Sequence, residues 1–245
     1  MGTIIAIGGG ELKDLETLLI DEYIVKATGK KNPKALFIPT ASNDAKGYME
    51  IFDEVYGEKL GCITDSLLLV TENLREEEIE NKILSSDLIY VGGGDTVKMM
   101  KVWKDKKVDI FLKEAYEKNI VLSGLSAGSI CWFKYGHSDS DSFKNQEGYW
   151  DYIRSEGLGL INAIHCPHYN QEGREGFDEM MKSQELTGIA LEDNSALVIK
   201  NKEFKILKSD INSKVYKFYN INGEVKKEVI ENNDFNNLDK LINIE

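Results

Sequence analysis

The sequence predicts an α/β fold in which helices cover both faces of a mostly parallel sheet. Residues 1–135 alternate between apolar runs of strand length and stretches with apolar residues at helical spacing. This alternation implies right-handed crossovers and a three-layer arrangement. The apolar run Thr3–Ile7 is continuous, which is typical of a parallel strand buried on both faces. No segment of disordered composition interrupts the chain, so we expect one domain over residues 1–245.

The individual elements follow from these patterns in chain order. Strands are predicted at residues 3–7, 35–39, 63–70, 87–91 and 120–123. Helices are predicted at 12–28, 48–55, around Ile79 and Ile83, at 97–103 and at 110–117.

The loops that follow the predicted strands are rich in glycine and small polar residues. They lie at 8–10, 40–43, 92–96 and around Ser126. Because the carboxyl ends of parallel strands meet at one edge of a sheet, we expect these loops to face one crevice. The glycines at 8–10 lack the third glycine of a dinucleotide fingerprint, so they predict a tight turn.

The last third of the chain predicts antiparallel strands. Residues 188–199 indicate a strand, a polar turn and a second strand. Residues 197–199 are expected to pair with 204–207, and 215–219 with 225–230 around Asn222 and Gly223, a strong type I′ turn signal. We therefore expect a hairpin extension of the domain from about residue 197 to the end.

Composition excludes several classes of function. There are 42 acidic and 30 basic residues, a formal charge of -12, which argues against nucleic acid or an anionic membrane as a partner. Three scattered cysteines are too few for a disulfide framework or a zinc site. The chain has no apolar run of membrane-spanning length and no secretory signal at its start, so we expect a cytoplasmic protein. A homodimer through the hairpin edges is kept as an open alternative.

A candidate nucleophile lies where a predicted strand meets a predicted helix. The sequence Gly124-Leu125-Ser126-Ala127-Gly128 fits G-x-S-x-G, in which two glycines let a sharp turn close and expose the serine. The N–H groups at the start of the following helix could stabilise an oxyanion. We interpret Ser126 as a nucleophile.

A serine nucleophile needs a base, and the chain has three histidines. His168 follows an apolar strand and Pro167, and is the preferred base. His137 lies in the polar segment 134–154, which predicts a long loop over the site and a solvated histidine. His165 is expected to be structural or to line the substrate site. A metal held by His165 and His168 is not favoured, because no H-E-x-x-H helix occurs and Pro167 excludes a regular helix.

The carboxylate that orients the base remains open from the residues alone. Glu192 and Asp193 are adjacent in a polar turn between two apolar strands. Asp139 and Asp141, in the segment after the predicted elbow, are separate candidates.

Four segments in this order resemble the peptidase E and cyanophycinase family of serine peptidases. They are Gly92-Gly93-Gly94-Asp95-Thr96, Gly124-Leu125-Ser126-Ala127-Gly128-Ser129, Cys166-Pro167-His168-Tyr169 and Glu192-Asp193-Asn194. The resemblance is closest to peptidase E-like dipeptidases. It implies a flavodoxin-like fold similar to class I glutamine amidotransferases. It further implies Ser126 as nucleophile, His168 as base, Glu192 as the third triad member with Asp141 as an alternative, and an oxyanion hole at Gly94 and Ala127.

The resemblance also implies a substrate class. Peptidase E members cleave dipeptides with an N-terminal aspartate, whose carboxylate needs a cation, and Arg174 matches the place of an arginine in that family. Asp95 and Thr96 are expected to contact substrate, and no cofactor or metal is implied. Our prediction is a serine peptidase acting on short peptides. The alternatives are a cyanophycinase-like enzyme, an amidase or esterase on the same residues, and a non-catalytic protein that binds a small ligand.

Overall fold

Two β-sheets organise the fold in the computed structural model, which describes residues 2–142, 152–221 and 223–243. The strands are β1 (Thr3–Ile7), β2 (Lys34–Ile38), β3 (Ile63–Ser66), β4 (Leu88–Val91), β5 (Val121–Leu125), β6 (Phe133–Ser138), β7 (Ile153–Glu156), β8 (Ile161–Cys166), β9 (Gly188–Leu191), β10 (Ser195–Lys200), β11 (Glu203–Lys208), β12 (Val215–Ile221), β13 (Glu224–Val229) and β14 (Asn236–Asn237). The α-helices are α1 (Leu18–Ala27), α2 (Lys46–Phe52), α3 (Glu76–Leu84), α4 (Thr96–Asp105), α5 (Val108–Glu117), α6 (Ala127–Ile130), α7 (Gly176–Met181) and α8 (Asp239–Ile242).

The first sheet is the one that the sequence predicts. Its order is β14-β11-β10-β1-β5-β4-β2-β3, and the five strands β1 to β5 run parallel. Strands β10, β11 and β14 continue this sheet in antiparallel pairing beyond β1. The mostly parallel α/β fold is therefore confirmed.

Strand β1 shows why this sheet has helices on both faces. Ile4 and Ala6 pack into one apolar cluster with residues of α4 and α5, whereas Ile5 and Ile7 pack into a second with residues of α1 and α2. Successive side chains of a strand point to opposite faces, so a continuous apolar run is what a strand between two helical layers requires. The three-layer prediction is confirmed by this packing.

The second sheet was not predicted. Its order is β13-β12-β9-β8-β6-β7, with β6, β8 and β9 parallel to one another. Strand β6 lies in the segment 134–154 that we expected to be a loop, and so does the start of β7. The polar residues Lys134, His137 and Ser138 conceal the strand in the sequence, although His137 and Ser138 are buried. Residues 143–151 of that segment lie outside the described residues.

Both predicted hairpins are confirmed, but they do not form one extension. In the first sheet Leu197 of β10 lies opposite Ile206 of β11. In the second sheet Tyr216 of β12 lies opposite Val229 of β13. The polar turn that follows β9 thus carries the chain from one sheet to the other. The type I′ turn prediction rests on Asn222, which lies outside the described residues.

Helix α1 is shorter than the sequence pattern indicates, whereas α4 and α5 extend slightly beyond their predicted ranges. Helix α1 begins at Leu18 rather than near residue 12, because Leu15 has a φ of 61° and the chain forms turns before it. The helix after Ser126 is a single turn, α6. In the part of the chain that the structure describes, every helix is too short or too polar to cross a membrane.

Candidate active site

Ser126 occupies a strained turn between β5 and α6. Its φ and ψ are 57° and -115°, a combination that L-residues rarely adopt. A Cβ at Gly124 would lie 2.3 Å from the carbonyl oxygen of Gly128, and one at Gly128 would lie 2.0 Å from that of Val91. The two glycines of the G-x-S-x-G motif are therefore required by close backbone packing, as the sequence predicts.

His168 follows β8 and is tied to both sheets. Its backbone N–H donates to the Gly8 carbonyl, at 2.9 Å, next to the end of β1. Its φ is 53°, another left-handed conformation that tertiary packing has to hold. Ser126 and His168 line the same cavity, which has a volume of about 340 Å³. The structure thus brings the predicted nucleophile and the predicted base into one site.

Asp193 is the carboxylate that contacts His168. Its Oδ1 lies 2.6 Å from Nδ1 of His168, and its Oδ2 accepts a hydrogen bond from Nε2 of Gln171 at 2.9 Å. The Asp193 backbone is fixed on both sides, since its N–H donates to Oδ1 of Asn170 and its carbonyl accepts from the Ser213 hydroxyl. Burial raises the pKa of Asp193, but the interactions with His168 and Gln171 outweigh burial and hold this pKa below its ordinary value.

Glu192, which the resemblance implied as the third triad member, points elsewhere. Its carboxylate accepts hydrogen bonds from the Lys214 N–H at 2.8 Å and from the Tyr216 hydroxyl at 3.1 Å. Within residues 2–142, 152–221 and 223–243, the hydrogen bonds to the His168 side chain come from Asp193 and Gln171. Of the two adjacent carboxylates that the sequence left open, it is Asp193 and not Glu192 that contacts His168.

The glycine turn after β1 forms the floor beneath the His168–Asp193 pair. A Cβ at Gly9 would lie 1.8 Å from Oδ1 of Asp193 and 2.3 Å from Nδ1 of His168. At these distances any side chain would displace the pair. The sequence predicts a tight turn here but not the groups that the turn approaches, because the pair comes from residues more than 150 positions away.

The other two histidines are buried and uncharged. His165 stacks on Phe133 and lies 2.8 Å from the Ser129 hydroxyl, and burial lowers its pKa to about 3. His137, which we expected in solvent, is 1 % exposed. Burial, assisted by the nearby Arg174 charge, lowers the pKa of His137 to about 3. The structural interpretation of His165 fits its contacts, whereas the solvated interpretation of His137 is wrong.

Arg174 is part of the core and not of the cavity wall. It is 3 % exposed, its Nη1 donates to the His137 carbonyl at 3.0 Å, and its Nη2 lies 3.4 Å from the Asp139 carboxylate. The guanidinium carbon lies 4.6 Å from the centre of the Tyr152 ring. The buried guanidinium does not line the cavity that contains Ser126, so the structure does not place Arg174 in a substrate-binding position.

Asp95 and Thr96 serve the start of helix α4. Oδ1 of Asp95 accepts a hydrogen bond from the Lys98 N–H at 3.0 Å, which is an N-cap contact. Thr96 is 1 % exposed. Neither residue lines the cavity that contains Ser126. The expected substrate contacts of Asp95 and Thr96 are therefore not seen in this geometry.

Backbone amides lie near Ser126, where an oxyanion would form. A Cβ at Gly93 would lie 3.3 Å from Cβ of Ser126, which places the turn after β4 against the nucleophile. The Gly93 N–H donates to the Tyr48 hydroxyl at 3.4 Å. Among the described residues, no hydrogen bond is donated by the amide of Gly94 or of Ala127. Both amides predicted for the oxyanion hole therefore have no hydrogen-bond acceptor within the described residues.

The cavity collects residues from several strand ends. The turns after β1, β4 and β5 contribute to its wall, together with helix α2 and His168. This arrangement confirms the predicted crevice, except that the loop at 40–43 does not reach the wall. Groups of three or more His, Cys, Asp or Glu side chains suited to a metal ion are absent from the described ranges.

Comparison with known proteins places these residues in a family. The model of peptidase family S51 matches residues 4–207, a segment that includes Ser126, His168 and Asp193. The chain belongs to peptidase family S51. It is accordingly a serine peptidase, and the predicted resemblance to the peptidase E family is confirmed.

Two relatives that are named as peptidases agree with membership of family S51. The chain is 32% identical over 222 residues to the uncharacterized peptidase YgaJ of Bacillus subtilis strain 168, covering 89% of this chain and 92% of the relative. It is 31% identical over 139 residues to the uncharacterized peptidase Lmo0363 of Listeria monocytogenes, covering 55% of this chain and 64% of the relative.

Two solved structures share the fold of this S51 peptidase. A peptidase from an acI-B1 actinobacterium superposes with a TM-score of 0.72 at 17% identity, covering 97% of each chain. A candidate peptidase E protein from Listeria monocytogenes EGD-e gives a TM-score of 0.64 at 22% identity, covering 85% of this chain and 98% of that one.

Proposed function

We propose that this S51 peptidase hydrolyses short peptides by acyl transfer through Ser126, His168 and Asp193. The observation that carries the proposal is the 2.6 Å contact between Nδ1 of His168 and Oδ1 of Asp193, made by a histidine that shares a cavity with Ser126. If Nδ1–H donates to the carboxylate, Nε2 has a free lone pair for the serine proton.

The proposed reaction has two steps. Ser126 Oγ attacks the peptide carbonyl carbon while Nε2 of His168 takes the hydroxyl proton. The amides of Gly94 and Ala127 donate to the oxyanion, the C–N bond breaks, and His168 returns the proton to the leaving amine. Water then attacks the acyl ester with His168 as base, which releases the carboxylic acid and restores Ser126.

Asp193 supports this reaction by fixing the tautomer and orientation of His168. Its lowered pKa keeps the carboxylate ionised at neutral pH, where it stabilises the imidazolium that forms during attack. The cavity volume of about 340 Å³ is at the small end for ligand sites and supports a substrate of a few residues. A cytoplasmic location remains a prediction from the sequence.

Mass spectrometry after treatment with a small fluorophosphonate tests the proposal. We expect one adduct on Ser126 in the wild-type protein, and none in Ser126→Ala or His168→Ala. Ser183→Ala, at an exposed serine beyond α7, is the matched control and should label like wild type. A folded wild-type protein without the adduct would contradict the proposal and favour a ligand-binding protein.

The same machinery would serve an amidase or an esterase. Comparison of kcat/KM for short peptides, simple amides and simple esters separates these functions. The peptidase proposal requires kcat/KM for a peptide to exceed kcat/KM for a simple amide with the same acyl group, because only the peptide has a leaving group that can contact the enzyme.

A further inference from the structure

We propose that the cavity beside Ser126 is a subsite for an apolar substrate side chain, so that the preferred peptides carry a residue such as leucine or phenylalanine next to the scissile bond. This inference rests on the proposed function and names its substrate class. The residue in question occupies one of the two positions that flank the bond.

Four apolar or aromatic side chains form one part of the cavity wall. Leu12 and Leu125 are 3% and 8% exposed, and the half-buried side chains of Tyr48 and Ile51 come from helix α2 on the same cavity. Such a wall favours a side chain that buries carbon rather than charge, because ligand sites of this kind gain affinity from the apolar surface they remove from water.

Charged groups on this cavity do not favour an acidic side chain. The described lining includes one acidic residue, Glu11, and one basic residue, Lys13, so their formal charges cancel. Lys13 is exposed to solvent, and an ion pair between exposed groups contributes little. Arg174, the cation expected for this purpose, is held by His137 and Asp139 and does not line the cavity.

Tyr48 gives this wall a fixed shape. Its ring meets Phe37 edge to face with centroids 4.9 Å apart, and a Cβ at Gly92 would lie 2.9 Å from its Cε1. Its hydroxyl accepts the Gly93 N–H, and burial raises the pKa of Tyr48 to about 12, so the phenol is neutral at pH 7. An apolar ring and a single uncharged hydroxyl thus face the substrate next to the nucleophile.

The test is a panel of X-Ala and Ala-X dipeptides with leucine, phenylalanine, aspartate or lysine as X. For wild type we expect leucine or phenylalanine, in at least one of the two positions, to exceed aspartate in kcat/KM by roughly tenfold or more. Ile51→Arg places a cation in the wall, and should lower the leucine-to-aspartate ratio by roughly tenfold or more. Ile110→Arg, at a residue that is 54% exposed on α5, is the control and should keep the wild-type ratio.

Ile51→Ala provides a second variant if the arginine impairs folding. It should lower kcat/KM for the leucine peptide more than for the aspartate peptide. The apolar subsite would be contradicted by a wild-type preference for aspartate, or by a leucine-to-aspartate ratio that is unchanged in both Ile51 variants.

Fluorophosphonate labelling of the same samples separates failure of the subsite from failure of the proposed function. Labelled Ser126 with an aspartate preference contradicts only the apolar subsite. Folded wild type with neither label nor turnover contradicts the proposed peptidase activity, and the subsite with it.

Discussion

At the residue scale, the adjacent carboxylates of Glu192 and Asp193 have different surroundings because their side chains point to opposite sides of the backbone. Glu192 is still paired with the second sheet, since its N–H donates to the Lys214 carbonyl. Its side chain meets the start of β12. Successive side chains of extended backbone point to opposite faces, and Asp193 consequently faces His168. A resemblance that is read along the sequence alone does not distinguish the two, because either carboxylate could complete such a triad.

The two carboxylates should respond differently to loss of charge. Asp193→Asn keeps the size of the side chain but can donate to Nδ1 of His168 and favour the wrong tautomer, so we expect kcat to fall by roughly 10²- to 10⁴-fold. The side chain in Glu192→Gln can still accept a hydrogen bond from the Lys214 N–H, so kcat of this variant should stay within a few-fold of the wild-type value. Steady-state kcat on the best peptide, with an unfolding midpoint for each variant, checks this. The reverse order of effects would assign the role to Glu192.

At the element scale, the turn after β1 acts as a floor for side chains that come from the second sheet. Gly9 lies beneath the His168–Asp193 pair, and the His168 N–H is bound to the Gly8 carbonyl. Asn194 donates its N–H to the Gly9 carbonyl at 2.9 Å. The position of the base relative to Ser126 therefore depends on how the two sheets meet at this turn.

Gly9→Ala should lower activity more than stability. The added methyl group would overlap Oδ1 of Asp193, a side-chain atom that can move, and we expect kcat/KM to fall by at least about tenfold while the chain still folds. Gly47→Ala is the matched control, since nothing lies within 4 Å of a Cβ at Gly47. In helix α2 it should leave activity unchanged and add roughly 0.5–1 kcal/mol to the free energy of unfolding.

Peptide hydrolysis and thermal unfolding of both glycine variants provide the measurement. Wild-type activity in Gly9→Ala would mean that the His168–Asp193 contact tolerates displacement, which the proposed mechanism does not allow.

At the scale of the whole molecule, the apolar cluster on the α1 and α2 side of the first sheet contains one buried carboxyl group. Asp21 is 0 % exposed and accepts hydrogen bonds from the Tyr56 hydroxyl at 2.7 Å and the Thr17 hydroxyl at 2.8 Å. Burial raises the pKa of Asp21 from 3.8 to about 6, because it outweighs the lowering effect of the two hydrogen bonds. Stability should therefore depend on pH through this group.

The sign of that dependence follows from the raised pKa. The folded chain binds the Asp21 proton more tightly than the unfolded chain does. The stability that this proton contributes is therefore fully present below about pH 4 and is lost as pH rises through about 6. A shift of about two units corresponds to about 3 kcal/mol. Asp21→Asn removes this titrating group. Between pH 4 and pH 7 its free energy of unfolding should rise relative to that of wild type by up to about 3 kcal/mol.

Urea unfolding of wild type and Asp21→Asn at pH 4.5, 6 and 7.5, roughly spanning the raised pKa, measures this difference. A difference in unfolding free energy that stays constant across the three pH values would show that Asp21 is ionised in the folded protein without a penalty.

The sequence by itself determined the features that depend on neighbouring residues. Strand β1, the hairpins β10–β11 and β12–β13, and the strained turn at Ser126 all follow from local patterns of apolar residues and glycine. The parallel sheet and the crevice at its carboxyl edge follow from the order of these elements. Most of the first sheet, and the placement of Ser126 and His168 on one cavity, were therefore predictable.

Only the tertiary structure decided what depends on residues distant in the chain. The contact that distinguishes Asp193 from Glu192 is made with His168, 25 positions away. The burial of Arg174 needs the carbonyl of His137, 37 positions away. The second sheet assembles polar-looking strands such as β6 because their neighbours cover them. Local patterns report the conformation of a segment, whereas burial, charge state and the wall of a cavity are set by the side chains that folding brings together.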